Sequence, residues 1–261
     1  MGEQLRMWRE RRRLSQLDLA IRAEISTRHL SFVETGRSRP SREMIVHLAE
    51  HLDLPLRERN HLLLAGGYAP VYTETPLDSP EMEPVRTAVR QLLTGHEPYP
   101  AIAVDRNWNL VDATASVNLL TAGVSTDLMG PPTNVLRVSL HPRGMAPRIA
   151  NLGEWRAHLL DRLRRQVSLT ADAELAELLA ELESYPGGEG GHEALPDPGA
   201  IFVPLRLRTG DGDELAFFST VSTFGTPLDI TLAELVIEAF YPADPRTAAY
   251  LRDHQTVAAG G

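Results

Sequence analysis

Along the first 65 residues apolar side chains recur at the three-and-four spacing of short helices, and after residue 100 they alternate in short runs as strands do. Within residues 15–36, SQLDLAIRAEISTRHLSFVETG, Leu19, Ala20 and Ala23 form one apolar stripe and Ile25, Leu30 and Val33 a second. This predicts two short helices joined by a tight turn. Ser15 and Ser26 stand where N-cap hydroxyls accept from open backbone amides, and Gly36 where a helix ends in the left-handed conformation. A preceding helix is read over residues 4–13, with Leu5 and Trp8 inward and Arg6, Arg9, Arg11, Arg12 and Arg13 largely outward. Ser41 caps a fourth helix reaching Leu52, and Pro55 opens a fifth that ends at Gly66 and Gly67.

A proline-rich stretch without period follows, and then a helix over residues 84–94 with Val85, Val89, Leu92 and Leu93 on one side, suited to bracing the two halves of the chain. AIAV, a turn at residues 105–107 and WNLV signal a hairpin. Helical patterns are read at 113–120, after Asn134, at 152–165 and at 172–183, and the run YPGGEGGHEALPDPG reads as a mobile loop. Strand-like segments at 201–209, 214–224 and 235–241 and a helix at 245–252 complete the pattern. Strands at both ends with helices between predict an antiparallel sheet covered by helices on one side. The fold class is thus α+β, an all-α five-helix domain followed by an antiparallel sheet domain.

Two domains suit 261 residues. Domain boundaries are placed at 1–66, 67–97 (linker and bracing helix) and 98–255. The absence of cysteine excludes disulfides, thiolate metal sites and a cysteine nucleophile. No apolar run suits a bilayer span and no signal-peptide pattern precedes Gln4, so a cytoplasmic protein without membrane contact is expected. The net charge of -9 hides an asymmetry: residues 1–42 carry ten Arg against five acids, and the remainder sixteen against thirty. A basic reader on an acidic body focuses phosphate attraction on one face. Every basic side chain is Arg and none is Lys, which in a chain also rich in Ala, Leu, Gly and Pro is explained by genomic base composition ahead of function.

The outward face of the second helix of the pair carries Thr27, Arg28, His29 and Ser31, all able to hydrogen-bond, where a helix with no partner carries Glu and Lys. Arg28, near that helix's start, suits a bidentate contact to guanine; Arg37 and Arg39, in the loop beyond, suit phosphates. No nucleophile elbow, zinc-protease, phosphate-loop or dinucleotide motif is present, so no catalytic residue, cofactor or metal is expected. Aromatic residues in the second half supply the material of an apolar pocket, and alternation puts Phe217 and Phe218 on opposite faces.

Residues 4–65, through LRMWRERRRLSQLDLA, ISTRHLSFVETGRSRPS and MIVHLAEHLDL, resemble the lambda-repressor-like, xenobiotic-response-element (XRE) helix-turn-helix domain. The turn position usually held by Gly in that family is Glu24 here, an expected strain of roughly 1–2 kcal/mol if its backbone is left-handed. The expected DNA-contacting set is Gln16, Ser26, Thr27, Arg28, His29, Ser31, Arg37 and Arg39. Residues 98–253, through VDRNWNLVDA, NVLRVSLHPRGMAPRIANLGEWRAHLLDRLRRQ, STVSTFGTPLDITLAEL and FYPADPRTAAYLR, resemble the MmyB-like effector domain of bacterial regulators, whose PAS-like sheet implies a small-ligand pocket. Trp108, Val111, Trp155, His158 and Phe224 are the expected lining. Together the resemblances imply a sequence-specific, homodimeric transcription regulator that binds a double-stranded operator and senses a small apolar molecule, such as a fatty-acyl-like one. The alternative is a DNA-binding protein whose second domain dimerises or recruits a protein without ligand.

Overall fold

The computed structural model describes residues 1–187 and 201–258, so most of the glycine-rich loop expected at 185–199 lies outside the described residues. In chain order the elements are α1 (Gly2–Arg11), α2 (Gln16–Arg22), α3 (Thr27–Glu34), α4 (Arg42–His51), α5 (Leu56–Ala65), α6 (Glu83–His96), β1 (Ala101–Val104), β2 (Leu110–Ala113), α7 (Val117–Leu120), α8 (Val135–Leu140), α9 (Leu152–Thr170), α10 (Ala173–Ser184), β3 (Leu205–Arg208), β4 (Glu214–Thr223), α11 (Ile230–Ala233), β5 (Val236–Pro242) and α12 (Pro245–Ala258). They form two compact units, one of residues 1–75 with 168–170 and 226–233, the other of the rest.

The first unit is built on caps. Ser15 accepts from the Asp18 amide while the Asp18 carboxylate accepts from the Ser15 amide, a reciprocal capping box. Ser26 Oγ accepts from His29 N and Ser41 Oγ from Met44 N. The helix ends share one device: α3 stops at Gly36 (φ +73°), with Arg37 N donating back to Phe32 O at 2.8 Å. The same bond closes α1, α2 and α4, but there the left-handed residue is Arg13, Glu24 and Asp53, with φ of +55°, +51° and +48°. Each non-glycine stop costs roughly 1–2 kcal/mol. Against that stands a continuous core of Leu5, Trp8, Leu19, Leu30, Val33, Ile45, Leu48, Leu62 and Leu63, where each buried large side chain contributes about 1.5–3 kcal/mol.

One expectation fails here. Arg9 is not outward but 7% exposed, because α3 presents the equally buried Glu34 to it. Arg9 Nε donates to Glu34 Oε1 at 2.6 Å and Nη2 to Oε2 at 3.0 Å, while Gln16 Nε2 donates to Oε2 at 2.8 Å. This triad ties α1 and α2 to the recognition helix. Arg12 is also occupied, its Nε donating to Leu52 O at the end of α4, where a cation complements the open carbonyls.

In the second unit the sheet runs β2-β1-β5-β4-β3 with every neighbour antiparallel. Its register sets Ile102 beside Glu238 and Leu205 beside Phe217. Alternation divides the faces. Ile102, Leu110, Leu205, Phe217 and Phe240 point to one side with Trp155, Leu159, Leu163 and the leucines of α10. Ala101, Ala103, Val111, Ile237 and Ala239 point to the other, where Val89 and Leu93 of α6 cover them. The sheet is therefore covered on both faces, and the single layer expected from the pattern omitted α6. The helix read at 113–120 shrinks to α7, and the strand read at 201–209 to β3.

Candidate DNA-reading helix and effector cavity

α3 is anchored by Leu30, Val33 and Glu34 and presents Thr27, Arg28, His29 and Ser31 away from that core. The guanidinium of Arg28 lies 5.3 Å from the Phe32 ring centroid and that of Arg37 5.9 Å from it. One half-buried ring thus holds two cations, each contact worth about 0.5–1 kcal/mol at an exposed site. Phe32 was missed from the pattern, since its i+4 relation to Arg28 is visible in the sequence but its exposure is not. Arg39 leans on Tyr68 at 5.6 Å and donates to Gly66 O at 3.3 Å, which holds it beside the end of α5. Ser26 Oγ serves as the N-cap and Gln16 belongs to the buried triad, so both have structural partners inside the unit.

The second site lies on the concave side of the sheet. A cavity of about 80 Å³ opens between β1, β2, β5 and helices α7, α8 and α9. Ile102, Leu110, Leu205 and Phe240 form its floor; Leu136, Val138, Trp155 and Leu159 its roof. Thr121, Met129 and Thr133, partly exposed, stand at its edge. The volume equals roughly five to eight water positions.

Trp108 belongs to this wall because of the hairpin. The Asp105 carboxylate accepts from the amides of Asn107 and Asn109, each at 2.8 Å, and the chain turns through Trp108 at φ +66°. A bulky left-handed residue costs on the order of 1–3 kcal/mol. Its Nε1 donates to Gln166 Oε1 at 2.7 Å, Gln166 Nε2 donates to Arg106 O at 2.8 Å, and the Arg162 guanidinium lies 4.6 Å from the ring centroid. Trp155 is pinned likewise, Nε1 donating to Ser139 Oγ at 3.0 Å.

Of the expected lining, Trp108 and Trp155 are placed on the wall. Val111 and Phe224 are placed on the opposite face, packed with Val89 and Leu93, because Leu110 is the inward residue of that strand. His158 tilts against Trp155 at 5.6 Å without forming part of the wall; burial first, and then the neighbouring Arg162, hold its pKa below the ordinary 6.5. The residue that sequence reasoning missed is Glu238. It is 3% exposed and among the residues around the cavity, and its Oε2 accepts from Arg162 Nη1 at 2.8 Å while the buried Oε1 has no partner. A buried unsatisfied acceptor costs roughly 1–3 kcal/mol or more when charged. In sequence it stood in VIEAF as one polar residue of a strand, with nothing to distinguish an inward from an outward side chain.

A helix-turn-helix reader joined to a sheet domain with a walled apolar cavity defines a transcription regulator of the one-component kind, DNA-binding and ligand-binding in one chain. The model of the MmyB-like transcription regulator ligand binding domain matches residues 85–253, and a helix-turn-helix domain model matches residues 1–62. The chain belongs to the MmyB-like transcription regulators. The comparison with curated proteins returns no match. Among solved structures the chain is similar to an RNA-binding light-oxygen-voltage receptor, 13% identical, over 98% of this chain and 63% of that one, with a TM-score of 0.31. A likeness that slight carries no argument. Among the described residues no helix is long and apolar enough to cross a membrane and no cluster of His, Asp and Glu could hold a metal.

Proposed function

We propose that this regulator binds a near-palindromic operator as a homodimer through α3, and that a small apolar molecule in the cavity changes its hold on DNA without covalent chemistry. The observation that carries this reading is the cavity itself: about 80 Å³ of space, walled by aliphatic side chains and two tryptophans, in a unit whose Leu163, Leu207 and Phe217 are fully buried.

Magnitudes set a condition on the switch. Moving an equilibrium from 1:99 to 99:1 takes roughly 5.5 kcal/mol of differential binding. At about 0.8 kcal/mol per methylene, some seven must be buried in one state and not the other. A cavity of about 150 Å³ takes one benzene, so 80 Å³ takes roughly half of that. A ligand large enough to switch the protein must therefore widen the cavity at the edge formed by Thr121, Met129 and Thr133, and that widening supplies the difference between states.

The test is a pair of bulky substitutions on adjacent residues of β2. Leu110→Trp fills the cavity and is expected to abolish the effect of a retained or added ligand on operator affinity while leaving ligand-free DNA binding near normal. Val111→Trp, on the α6 face, is expected to lower stability without blocking the ligand. Non-denaturing mass spectrometry of the purified protein identifies the occupant. Equal ligand responses in wild type and Leu110→Trp would remove the cavity from the mechanism and leave the second domain as a dimerisation or recruitment module.

A further inference from the structure

We propose that the outer edge of β4 beyond Phe217 is where a second copy of the chain docks: the two β4 strands pair antiparallel with Val221 opposite Val221 and join the two sheets into one. This rests on the homodimer read above and names its surface.

Bare amides and carbonyls at a sheet edge recruit strands, so natural sheets guard their edges with covering segments, charges or proline. The outer edge of β2 is guarded: Leu110 N donates to Thr133 O at 2.8 Å, Asn109 bridges Asn134, and Asp112 adds a charge. So is that of β3. Ala150 N donates to Arg206 O at 2.7 Å, Arg206 N to Asn151 Oδ1 at 3.1 Å, and Arg148 Nε to Arg208 O at 3.1 Å. β4 is different because it outruns its neighbour, with ten residues of which β3 covers only 214–217. Among the described residues no strand runs along the outer side of the remainder. Residues 220–223 are exposed, Val221 by 50%. Nor does sequence guard this stretch, since no charged residue stands between Glu214 and Asp229 and no proline before Pro227.

The contacts of β5 fix which backbone groups face out. Ala243 N donates to Ala216 O at 2.8 Å, so by strand alternation Phe218, Thr220 and Ser222 also turn their amides and carbonyls to β5. Ser219, Val221 and Thr223 turn theirs outward. Three donors and three acceptors on every second residue are self-complementary about a two-fold axis at Val221. Ser219 then meets Thr223 of the second copy, Thr223 meets its Ser219, and all six groups of each chain are paired. Centring the axis on Ser219 instead would bring in Phe217, which β3 already holds. The side chains suit the same register. Val221 packs on its own copy between two Ser–Thr pairs, Thr220 meets Ser222 on the other face, and no like charges oppose each other. One residue further, Phe224 of the second copy comes opposite Phe218, whose ring is in contact at 5.5 Å with that of Phe202, 51% exposed.

The chain has no cysteine, so an introduced thiol reports alone. Opposed Cα atoms in such a pair stand about 5.5 Å apart, within disulfide reach, whereas the two copies of Ser219 would stand four residues, roughly 13 Å, apart. Under mild oxidation of the full chain, Val221→Cys is expected to form a covalent dimer at least tenfold faster than Ser219→Cys. In sedimentation, Val221→Lys and Val221→Glu are each expected to weaken the dimer at least tenfold, and mixing them to restore it, because the axis sets residue 221 against itself. Should a charged variant fail to fold by circular dichroism, the two thiol variants decide. Equal cross-linking rates, or dimers unchanged in both charged variants, overturn the assignment and leave the homodimer on another surface. A wild type that is monomeric at every concentration overturns the assignment and the homodimer together; protected amides at Ser219, Val221 and Thr223 in that monomer would show that the chain covers its own edge.

Discussion

Glu34→Leu is expected to destabilise the reader more than any surface change near DNA. The carboxylate accepts three hydrogen bonds, two from Arg9 and one from Gln16, and its side chain is 1% exposed against 8% for that of Arg9. Removing it leaves the buried Arg9 guanidinium with Leu14 O at 2.7 Å and the exposed Glu10 carboxylate at 3.7 Å, a longer and more solvated partner. Breaking a buried pair from one side costs about 3–5 kcal/mol. For a unit of this size each kcal/mol lowers Tm by roughly 4–8 °C. Unfolding of the full chain, followed by far-UV circular dichroism and by the fluorescence of Trp8, should show the first transition displaced by roughly 10 °C or more while the second stays in place. The double variant Arg9→Met with Glu34→Leu removes both charges and replaces them with apolar volume, which is often neutral or stabilising. It should recover most of the loss. A cost for Glu34→Leu below about 1 kcal/mol, or a double variant whose cost is the sum of the singles, would refute the coupling of α1, α2 and α3 through this triad.

Arg28→Ala should weaken operator binding by about 1–3 kcal/mol and relax preference at one base position, whereas Arg37→Ala should reduce the slope of log affinity against log salt by about 0.9 without changing preference; uniform weakening on all sequences by Arg28→Ala would make it a phosphate contact. Glu24→Gly should raise the reader's Tm, since Glu24 sits at φ +51° and relief of roughly 1–2 kcal/mol exceeds the 0.4–1 kcal/mol that Gly adds to unfolded-chain entropy; a lower Tm would show that the Glu24 side chain makes up for its strain. His158, neutral-favouring in the folded state, contributes stability that is present above its ordinary pKa of 6.5 and is lost as pH falls through its lower folded value. The second unit should therefore lose stability as the solution is acidified below pH 6.5, and His158→Gln should flatten that part of the curve; identical curves would place the titration elsewhere.

The helix boundaries of the reader were legible because they are local. Ser15, Ser26, Ser41 and Gly36 act on amides and carbonyls within a few residues of themselves, and the structure uses all four as caps. The left-handed turn at Glu24 was legible for the same reason. Arg9 was not, because its position on α1 is compatible with solvent and only the approach of Glu34, 25 residues away, buries it. Strand positions were legible, but their inward parity was not. Val111 and Leu110 are equally apolar, and which one enters the core depends on the turn at Trp108, whose φ of +66° ends the hairpin loop and starts β2 at Leu110. Glu238 lay beyond reach altogether, since its burial and its pairing with Arg162 come from another element.

The two faces of the sheet differ in a way that accounts for the cavity. On the α6 face the sheet offers Ala101, Ala103 and Ala239, small side chains that let Val89 and Leu93 descend to contact and leave the layer filled. On the other face the large rings Trp108 and Trp155 stand between sheet and helix, and each is fixed at its indole nitrogen, by Gln166 and by Ser139. A ring tethered at its polar edge cannot turn into the adjacent space without leaving a buried N–H unpaired, which costs more than the void it would fill. Arg162 adds to this, packed over Trp108 and bonded to Glu238, so that a charged and aromatic support stands beside the leucines by which α9 packs on the sheet. Loosening either tryptophan, by Gln166→Leu or Ser139→Ala, should therefore shrink the space and weaken ligand binding together. Tighter binding in those variants would mean that the rings obstruct the site instead of supporting it.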